Sequence, residues 1–476
     1  MVDRPGAPGG SPSRPELDRP RRVHVIGAGG AGMSAIATVL TAMGHQVSGS
    51  DTADSRVLRR LADQGVDVRV GHAPDLARGA DMVVRSTAVP DSDPEVTAAR
   101  AAGITVWRRA DVLAAICAVT RTAAVSGTHG KTTTSSMLAV TMVGLGWHPS
   151  MIVGGDIAGM GPGAVWDRAG EWFVVEADES DGTFVELGAD AAVVTSVEPD
   201  HLEFYGGMAG LEAAFERFVR EPPGPVVVCA DDTGAARLAR VPGRSGPAVL
   251  TYGTAEGADV RISEVELSRA GARFLLTGAG SAGRVQLAVP GLHNVRNAAA
   301  VVTLVTALGA GWAEAVEAVG AYRGVGRRFE SRGEAAGVSF VDGYDHLPTE
   351  VAAAIATARS GGWSRVVVVF QPHRYSRTEA LWRDFGPAFA GADVVVVTGI
   401  YAAGEAPRPG ISGELVYQAV RRSEPEAEVH YAPDLDSAEA MLADILQIGD
   451  LCLTLGAGDI TTLPDRLKRR LEGERP

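Results

Sequence analysis

Two glycine-rich turns, each set between a β-branched run and a helix-forming run, constrain this chain more than any other feature. One lies in VHVIGAGGAGMSAIATVL and the other in TAAVSGTHGKTTTSSMLAV. A strand that passes through a tight turn into a helix opens a parallel α/β unit. Each turn therefore opens its own unit, with a boundary between them near residues 119–122. The same rhythm continues through EWFVVEAD, AAVVTS, RVVVVF, ADVVVVTG and DLCLTLGAG. It restarts after GVGRRFE with VSFVDGY, which marks a second boundary. At roughly 100–200 residues per domain, the 476 residues suit two or three domains. The spacing predicts three α/β domains: 22–120, 121–330 and 331–476. The stretch at about 250–290 reads as antiparallel strands inserted in the middle one. Residues 1–21 are rich in Pro, Gly and Arg without the apolar core of a signal peptide, and read as a disordered tail.

Composition narrows the function. The 44 Lys plus Arg stand against 58 Asp plus Glu, a net charge of −14. That balance argues against nucleic-acid binding, which needs clustered cations, but leaves room for a local basic pocket. Cys117, Cys229 and Cys452 are widely separated and read as buried thiols in a reducing compartment, with neither a disulfide framework nor a zinc site. No apolar run reaches the roughly 18–20 residues of a membrane span, so a cytoplasmic protein without membrane insertion is expected. Only Lys131 and Lys468 are lysines, and one of them sits inside SGTHGKTT.

The first turn has Gly27-x-Gly29-x-x-Gly32, with Asp51 closing the next strand. Glycines let backbone N–H groups approach a diphosphate, and a following acid can hold a ribose hydroxyl. On these residues alone, NAD and any other nucleotide diphosphate fit equally. The second turn ends in Gly130-Lys131-Thr132, a phosphate-loop ending in which backbone N–H groups and the ammonium hold phosphates and the threonine ligates magnesium. Val125 stands where the longer phosphate loop needs glycine, so the loop is a shorter one starting at Gly127. Glu176, Asp178, Glu179 and Asp181 follow one strand, and Glu198, Asp200 and His201 follow another. Strand carboxyl ends are where open parallel sheets bind ligands. Glu176 and His201 are therefore the metal-ligand candidates beside the loop.

With GAGGAGMS, SGSD, RSTAVP, SGTHGKTTT, EADESDGTF, EPDH, GLHNVRNA, GRRFE, DGYDHLPTE, FQPHRYSRT and LGAGD in this order, the chain resembles the Mur ligase family from Arg22 to about residue 460. Within that family it is similar to the branch that adds L-alanine. The resemblance implies a Rossmann-like N-terminal domain, a central P-loop ATPase-like domain with a parallel sheet, and a C-terminal Rossmann-like α/β domain. It implies ATP and Mg²⁺ as cofactors, UDP-N-acetylmuramate and L-alanine as partners, and a monomer or weak dimer. The implied reaction is amide ligation in peptidoglycan precursor synthesis through an acyl phosphate. It assigns Gly27, Gly29, Gly30, Gly32, Met33, Ser34, Asp51, Ser86, Thr87 and Ala88 to the UDP-sugar. It assigns Gly127, Thr128, His129, Gly130, Lys131, Thr132, Thr133, His293, Asn294, Asn297 and an arginine of GRRFE (Arg327 or Arg328, with Arg327 preferred) to ATP. Thr132, Glu176 and His201 would hold the metal. Tyr344, His373, Arg374 and Arg377 would hold the amino acid and product. Lys131, His201, Arg327, Asp342 and His346 would carry the catalysis.

The match departs from the family pattern in one loop. Where the family reads D-D-Y-[AG]-H-H-P-T-E, this chain has Asp342-Gly343-Tyr344-Asp345-His346-Leu347-Pro348. Gly343 replaces an acidic or small polar residue, Asp345 a small one and Leu347 the second histidine. Leucine can neither donate nor accept a hydrogen bond. Ser196 also stands where asparagine is common. Other readings at this stage are a sibling ligase with a different amino acid or peptide, a catalytically weak paralogue that binds the nucleotide sugar, and an NAD-dependent oxidoreductase fused to an ATPase.

Overall fold

The computed structural model describes residues 14–244 and 246–473. Among them the strands form three sheets, one per α/β unit. The first holds β1 (Arg22–Ile26), β2 (Gln46–Asp51), β3 (Asp67–Val70), β4 (Met82–Arg85) and β5 (Val106–Arg108). Its order is β3-β2-β1-β4-β5 with every pair parallel. β1 is the central strand, so the turn that follows it lies where the chain order reverses, the usual ligand crevice of an open parallel sheet.

The second sheet has ten strands. They are β6 (Arg121–Ser126), β7 (Ser150–Ile152), β8 (Ala164–Val165), β9 (Trp172–Glu176), β10 (Ala191–Val194), β11 (Val226–Cys229), β12 (Leu250–Gly253), β13 (Val260–Ser268), β14 (Gly271–Gly278) and β15 (Ser281–Leu287). They run in the order β15-β14-β13-β12-β11-β10-β6-β9-β7-β8. β6 pairs in parallel with both β9 and β10. The phosphate-loop turn therefore leaves the sheet between the two strands that deliver Glu176 and Glu198. The expected antiparallel insertion is β13–β15. The apolar runs WFVV of β9, AAVV of β10 and VVVC of β11 are buried on both faces, as parallel strands covered by helices require.

The third sheet has β16 (Glu330–Ala335), β17 (Val338–Gly343), β18 (Arg365–Phe370), β19 (Val394–Thr398), β20 (Glu428–Ala432) and β21 (Asp450–Leu455). Its order is β16-β17-β21-β18-β19-β20, antiparallel only at β16/β17. Its helices split the core into two layers, one around Phe370, Phe385 and Phe389 and one around Phe340, Leu463 and Leu467. The three cysteines are buried and unbridged. No helix among the described residues is long and apolar enough to cross a membrane.

Part of the expected tail is ordered. Leu17 is buried in the main core, Arg14 donates to the Glu186 carbonyl at 2.8 Å, and Arg21 donates to the Glu16 carbonyl at 2.7 Å. One apolar anchor with flanking guanidinium contacts is enough to pack 14–21 where composition alone reads disorder. Residues 1–13 lie outside the described residues.

A buried polar cluster fixes the ends of β1 and β2. Glu95, fully buried on the helix Pro94–Ala101, accepts hydrogen bonds from Ser50 Oγ at 2.7 Å and Ala73 N at 3.0 Å, and bonds His24 Nε2 at 2.8 Å. Removing one member strands the others in an apolar interior. Glu95→Ala is expected to cost about 3–5 kcal/mol, read as a lower urea midpoint of the first transition. An unchanged midpoint would show that these contacts do not hold the first sheet together.

Candidate active site

The second glycine turn is shaped by closeness. Gly127 has φ +134°, and a Cβ there would overlap Thr195 Oγ1 and fall 2.8 Å from Ser196 N. Gly130, at φ +79°, caps the helix Lys131–Gly144 without a side chain, so the first-turn N–H groups remain open to an anion. Lys131 Nζ donates to the Gly127 carbonyl and to Glu179, both at 2.8 Å. Burial works against its charge, but Glu179 and Asp178 hold its pKa above the ordinary value. Burial in turn pushes Glu179 upward. The ammonium thus waits at the loop against carboxylates that a phosphate could displace. Thr128 and Thr133 are buried on the same turn.

Thr132 Oγ1 donates to Glu176 Oε1 at 2.9 Å, and Gly154 N donates to Glu176 Oε2 at 2.8 Å. A Cβ on Gly154 would lie 2.7 Å from Glu176 Oε2 and 3.2 Å from Thr132 Oγ1, so glycine keeps this spot open. An all-oxygen pair beside a phosphate loop suits a magnesium ion that keeps water and phosphate oxygens as its other ligands. His201, expected to join them, has a left-handed backbone at φ +52°. Its Nε2 lies 3.3 Å from Asp200 Oδ2. Among the described residues no trio of His, Cys, Asp or Glu is gathered to hold a metal.

A cavity of about 320 Å³ opens from the loop. His129, Gly130 and Thr133 form its phosphate end, Asp231, Tyr252 and Arg296 its far end, and Glu350 lies on the third-domain wall. Arg296 Nε is paired to Asp231 at 2.8 Å. From the helix Leu292–Ala307, Asn297 presses its side-chain oxygen to within 3.1 Å of where a Gly130 Cβ would be. Asn297 Nδ2 and Asn294 Oδ1 are buried without protein partners, as groups awaiting a ligand would be. Asn294 Nδ2 donates to the Pro290 carbonyl at 2.7 Å. Burial, with Arg296 and Arg328 nearby, drives His293 down to about 4, so it is neutral at pH 7.

Of the two candidate arginines, Arg328 reaches the loop. Its Nη2 donates to Thr132 Oγ1 at 3.3 Å. Arg327, the preferred choice from sequence, turns into the third domain instead. Its Nη2 donates to the Gly456 carbonyl at 2.8 Å, and its Nε lies 3.4 Å from Asp342. Asp342 is fully buried at the end of β17 and accepts from Thr454 Oγ1 at 2.8 Å and Thr461 Oγ1 at 2.7 Å. Its oxygens are spoken for within the third domain, which makes it a positioning residue for Arg327 and not a member of the cavity wall. Tyr344 underlies both guanidinium groups, at 4.8 and 5.2 Å.

The third-domain residues gather beside this wall. His346 Nδ1 bonds the Tyr344 carbonyl at 2.8 Å, and its ring lies 5.7 Å from that of His373. Arg377 donates to His373 Nδ1 at 2.9 Å. Burial and the Arg377 charge hold His373 down at about 3, and burial also lowers His346. Both rings are neutral at pH 7, with the positive charge left to Arg374 and Arg377. Arg377 faces Asp200 of the second domain at 3.8 Å, and Arg374 Nε is buried without a partner.

In the first domain Gly27 (φ +79°) packs a would-be Cβ 3.1 Å from Ser86, and Gly29 N donates to Asp51 Oδ2 at 2.9 Å. Gly30 caps the helix Ala31–Met43 without a side chain. Thr87 and Ala88 are exposed beside the turn, and Ser34 Oγ donates to the Ala31 carbonyl at 2.9 Å. Met33 is 2 % exposed and packs in the core, so its side chain cannot touch a ligand at the turn. Arg109 was not singled out from sequence. It lies 3.1 Å from where a Gly32 Cβ would stand and 3.5 Å from Asp181 of the second domain. Glu350 and Glu198 were likewise missed as partners of His129. An arginine abundant everywhere and an acid inside a longer motif carry no signal of their own.

His129 joins the phosphate loop to the third domain. Its Nε2 lies 3.1 Å from Glu198 and its Nδ1 3.2 Å from Glu350. Burial opposes the charge, but the two carboxylates prevail and push His129 up to about 10. A histidine with a raised folded pKa stabilises fully below its unfolded value, about 6.5, and loses that contribution as pH rises. Here the loss runs from about 6.5 through about 10. The His129 C2 proton, assigned with His129→Gln, is expected to keep its imidazolium shift across neutral pH. A midpoint at the ordinary histidine value would contradict this double pairing.

Comparison with known proteins agrees with this architecture. Models of the Mur ligase family match in order: its catalytic domain over residues 22–121, its middle domain over 125–305, and its glutamate ligase domain over 327–458. The UDP-N-acetylmuramate–L-alanine ligase of Kineococcus radiotolerans is 47% identical over 449 residues, covering 93% of this chain and 94% of that protein. The corresponding ligase of Thermobifida fusca is 43% identical, covering 97% of this chain and 99% of that protein. The crystal structure of the UDP-N-acetylmuramate–alanine ligase of Thermotoga maritima superposes with a TM-score of 0.80 at 28% identity, covering 96% and 100% of the two chains. With its three domains matched in sequence and shape, the chain belongs to the Mur ligase family.

Proposed function

We propose that this chain joins L-alanine to UDP-N-acetylmuramate in peptidoglycan precursor synthesis, through an acyl-phosphate intermediate. Membership of the family makes it an ATP-dependent ligase. The observation that carries the finer reading is the meeting of the second and third domains at the phosphate loop, through His129–Glu350 and Arg328–Thr132. A carboxylate, a terminal phosphate and an amine have to meet, and this junction sets the phosphate loop against the domain that carries Arg374 and Arg377.

In this reading the Gly27–Gly32 turn, with Asp51 and Ser86, takes the UDP diphosphate and ribose. The nucleotide lies in the cavity, its phosphates on the Gly127–Thr133 loop and its base towards Asp231 and Tyr252. A lactyl carboxylate and a γ-phosphate repel each other, so cations must offset both. Lys131 and Arg328 supply that charge at the loop. Thr132 and Glu176 would hold magnesium, which would neutralise charge on the nucleotide phosphates. Arg374 and Arg377 suit the alanine carboxylate, because a guanidinium fork matches a carboxylate in plane. Neutral His346 and His373 next to them can accept or donate hydrogen bonds without repelling the incoming ammonium. Leu347 takes no part: it is buried at the start of the helix Pro348–Ser360, and its N–H donates to Glu350.

Phosphate release with ATP, magnesium and UDP-N-acetylmuramate should require L-alanine and give a product heavier by one alanine residue. Lys131→Ala should lower this turnover by at least about 1000-fold, as loss of a main phosphate cation does, while UDP-N-acetylmuramate binding measured by calorimetry persists. Binding of the nucleotide sugar without turnover for any amino acid would favour a non-catalytic paralogue. Equal loss of binding and turnover in Lys131→Ala would contradict the division of tasks between the first two domains.

A further inference from the structure

Gly343 is glycine for reasons of space. Its φ lies outside the left-handed region, yet a Cβ there would overlap Asp345 Oδ2 and fall 3.3 Å from Asp345 Cγ and 2.9 Å from Leu455 Cδ2. The room vacated at 343 is the room the Asp345 carboxyl fills. Both positions are among the three, with Leu347, at which DGYDHLPTE departs from the family pattern. In this chain the space at 343 and the acid at 345 are two sides of one packing contact.

That carboxyl lines the cavity with His129, Gly130 and Arg328. It also belongs to the short loop carrying Tyr344 and His346, next to His373 and Arg377. It therefore stands on the cavity wall beside the phosphate loop, one residue from His346, whose ring lies 5.7 Å from that of His373 in the basic cluster. The charged groups facing it are Glu350 from the helix Pro348–Ser360, Arg328 from the domain junction and His129 from the phosphate loop, with His346 beside it in the chain. Burial and the Glu350 charge push Asp345 up to about 7, with Arg328 and His129 pulling the other way. Against its own burial, Glu350 is held well below the usual range by His346 and His129. The pair thus keeps one carboxylate ionised and leaves the other able to exchange a proton near neutral pH.

We propose that Asp345 is the proton acceptor for the amine half of the reaction. The inference rests on the ligase reading above. An amino acid arrives as an ammonium, which has no lone pair with which to attack. One N–H proton passes to the Asp345 carboxylate, and the freed lone pair forms the C–N bond at the acyl-phosphate carbon. The C–O bond to phosphate breaks with its electron pair, and the departing phosphate takes the second N–H proton. An acceptor with a pKa near the working pH is the efficient choice for such a transfer.

The test compares two nucleophiles on the full chain with ATP, magnesium and UDP-N-acetylmuramate. L-Alanine must lose a proton before attack, whereas hydroxylamine is already largely uncharged at neutral pH. Asp345→Asn should slow alanine turnover by about 100-fold or more, the usual size of a lost proton-transfer group, and leave hydroxamate formation near that of the unmodified chain. The alanine kcat should rise with pH through a limb near 7, and the variant should lack it. Gly343→Ala, which evicts the carboxyl without deleting it, should slow alanine preferentially as well. Equal slowing with both nucleophiles in both variants would reduce Asp345 to a structural residue, and full alanine turnover in Asp345→Asn would make it a spectator. Either result overturns the proposal. No hydroxamate from the unmodified chain would instead sink the ligase reading on which it stands.

Discussion

The His129 imidazolium, pinned between Glu198 and Glu350, is the contact on which the rest of the site depends. It sits on the phosphate loop, while Glu198 follows β10 of the same sheet and Glu350 opens a helix of the third domain. Glu350 Oε2 also accepts from the N–H groups of His346 and Leu347. The path of the Tyr344–Leu347 loop is thereby set by the same carboxylate that grips the phosphate loop. Moving His129 would disturb ATP-side and amine-side groups together. A single charged residue can couple two domains in this way because both partners are anionic and one of them, Glu350, is largely withdrawn from water.

The site also manages charge before any ligand arrives. Lys131 rests on Glu179, Arg296 on Asp231, and Thr132 shares its hydroxyl proton with Glu176. Each cation or donor is pre-oriented by an acid. An arriving phosphate therefore exchanges one anionic partner for another and does not have to order a free side chain. This keeps the basic groups in register on a protein whose net charge is strongly negative.

The sequence was most legible where backbone geometry leaves no choice. Gly27, Gly127 and Gly130 each adopt a positive φ or a close approach that other residues resist, so their pattern located both turns. It was least legible where direction is decided by tertiary contacts. Arg327 and Arg328 are adjacent and chemically identical, and only the carbonyls of Gly456 and Gly458 and the buried Asp342 decide that Arg327 faces away. Met33 sits inside the glycine motif, yet its place on the inner face of the helix Ala31–Met43 sends it to the core. His201 follows a strand that ends at the site, but its left-handed backbone pairs the ring with Asp200. Leu17 shows the converse error, since one buried side chain overrides the composition of its surroundings.

The junctions between domains differ in kind from the interiors. Inside each domain the buried polar contacts are short: Glu95 with Ser50 at 2.7 Å, Asp342 with Thr461 at 2.7 Å, Lys131 with Glu179 at 2.8 Å. Across domains the arginine pairs are either exposed, as Arg108–Glu186 at 3.0 Å and Arg269–Glu334 at 2.6 Å, or long, as Arg109–Asp181 at 3.5 Å and Arg377–Asp200 at 3.8 Å. Exposed pairs such as the first two contribute little, typically below about 1 kcal/mol each, and cost correspondingly little to break. Interfaces held in this way favour hinge motion of whole domains over internal rearrangement. A ligase of the proposed reaction, which would admit a bulky nucleotide sugar and ATP and then exclude water from an acyl phosphate, needs both properties. The rigid sheets carry the glycine turns at fixed geometry. In the proposed reaction, the Arg269–Glu334 and Arg377–Asp200 seams would let the third domain, with Tyr344, Asp345 and His346, move as a unit against the phosphate loop.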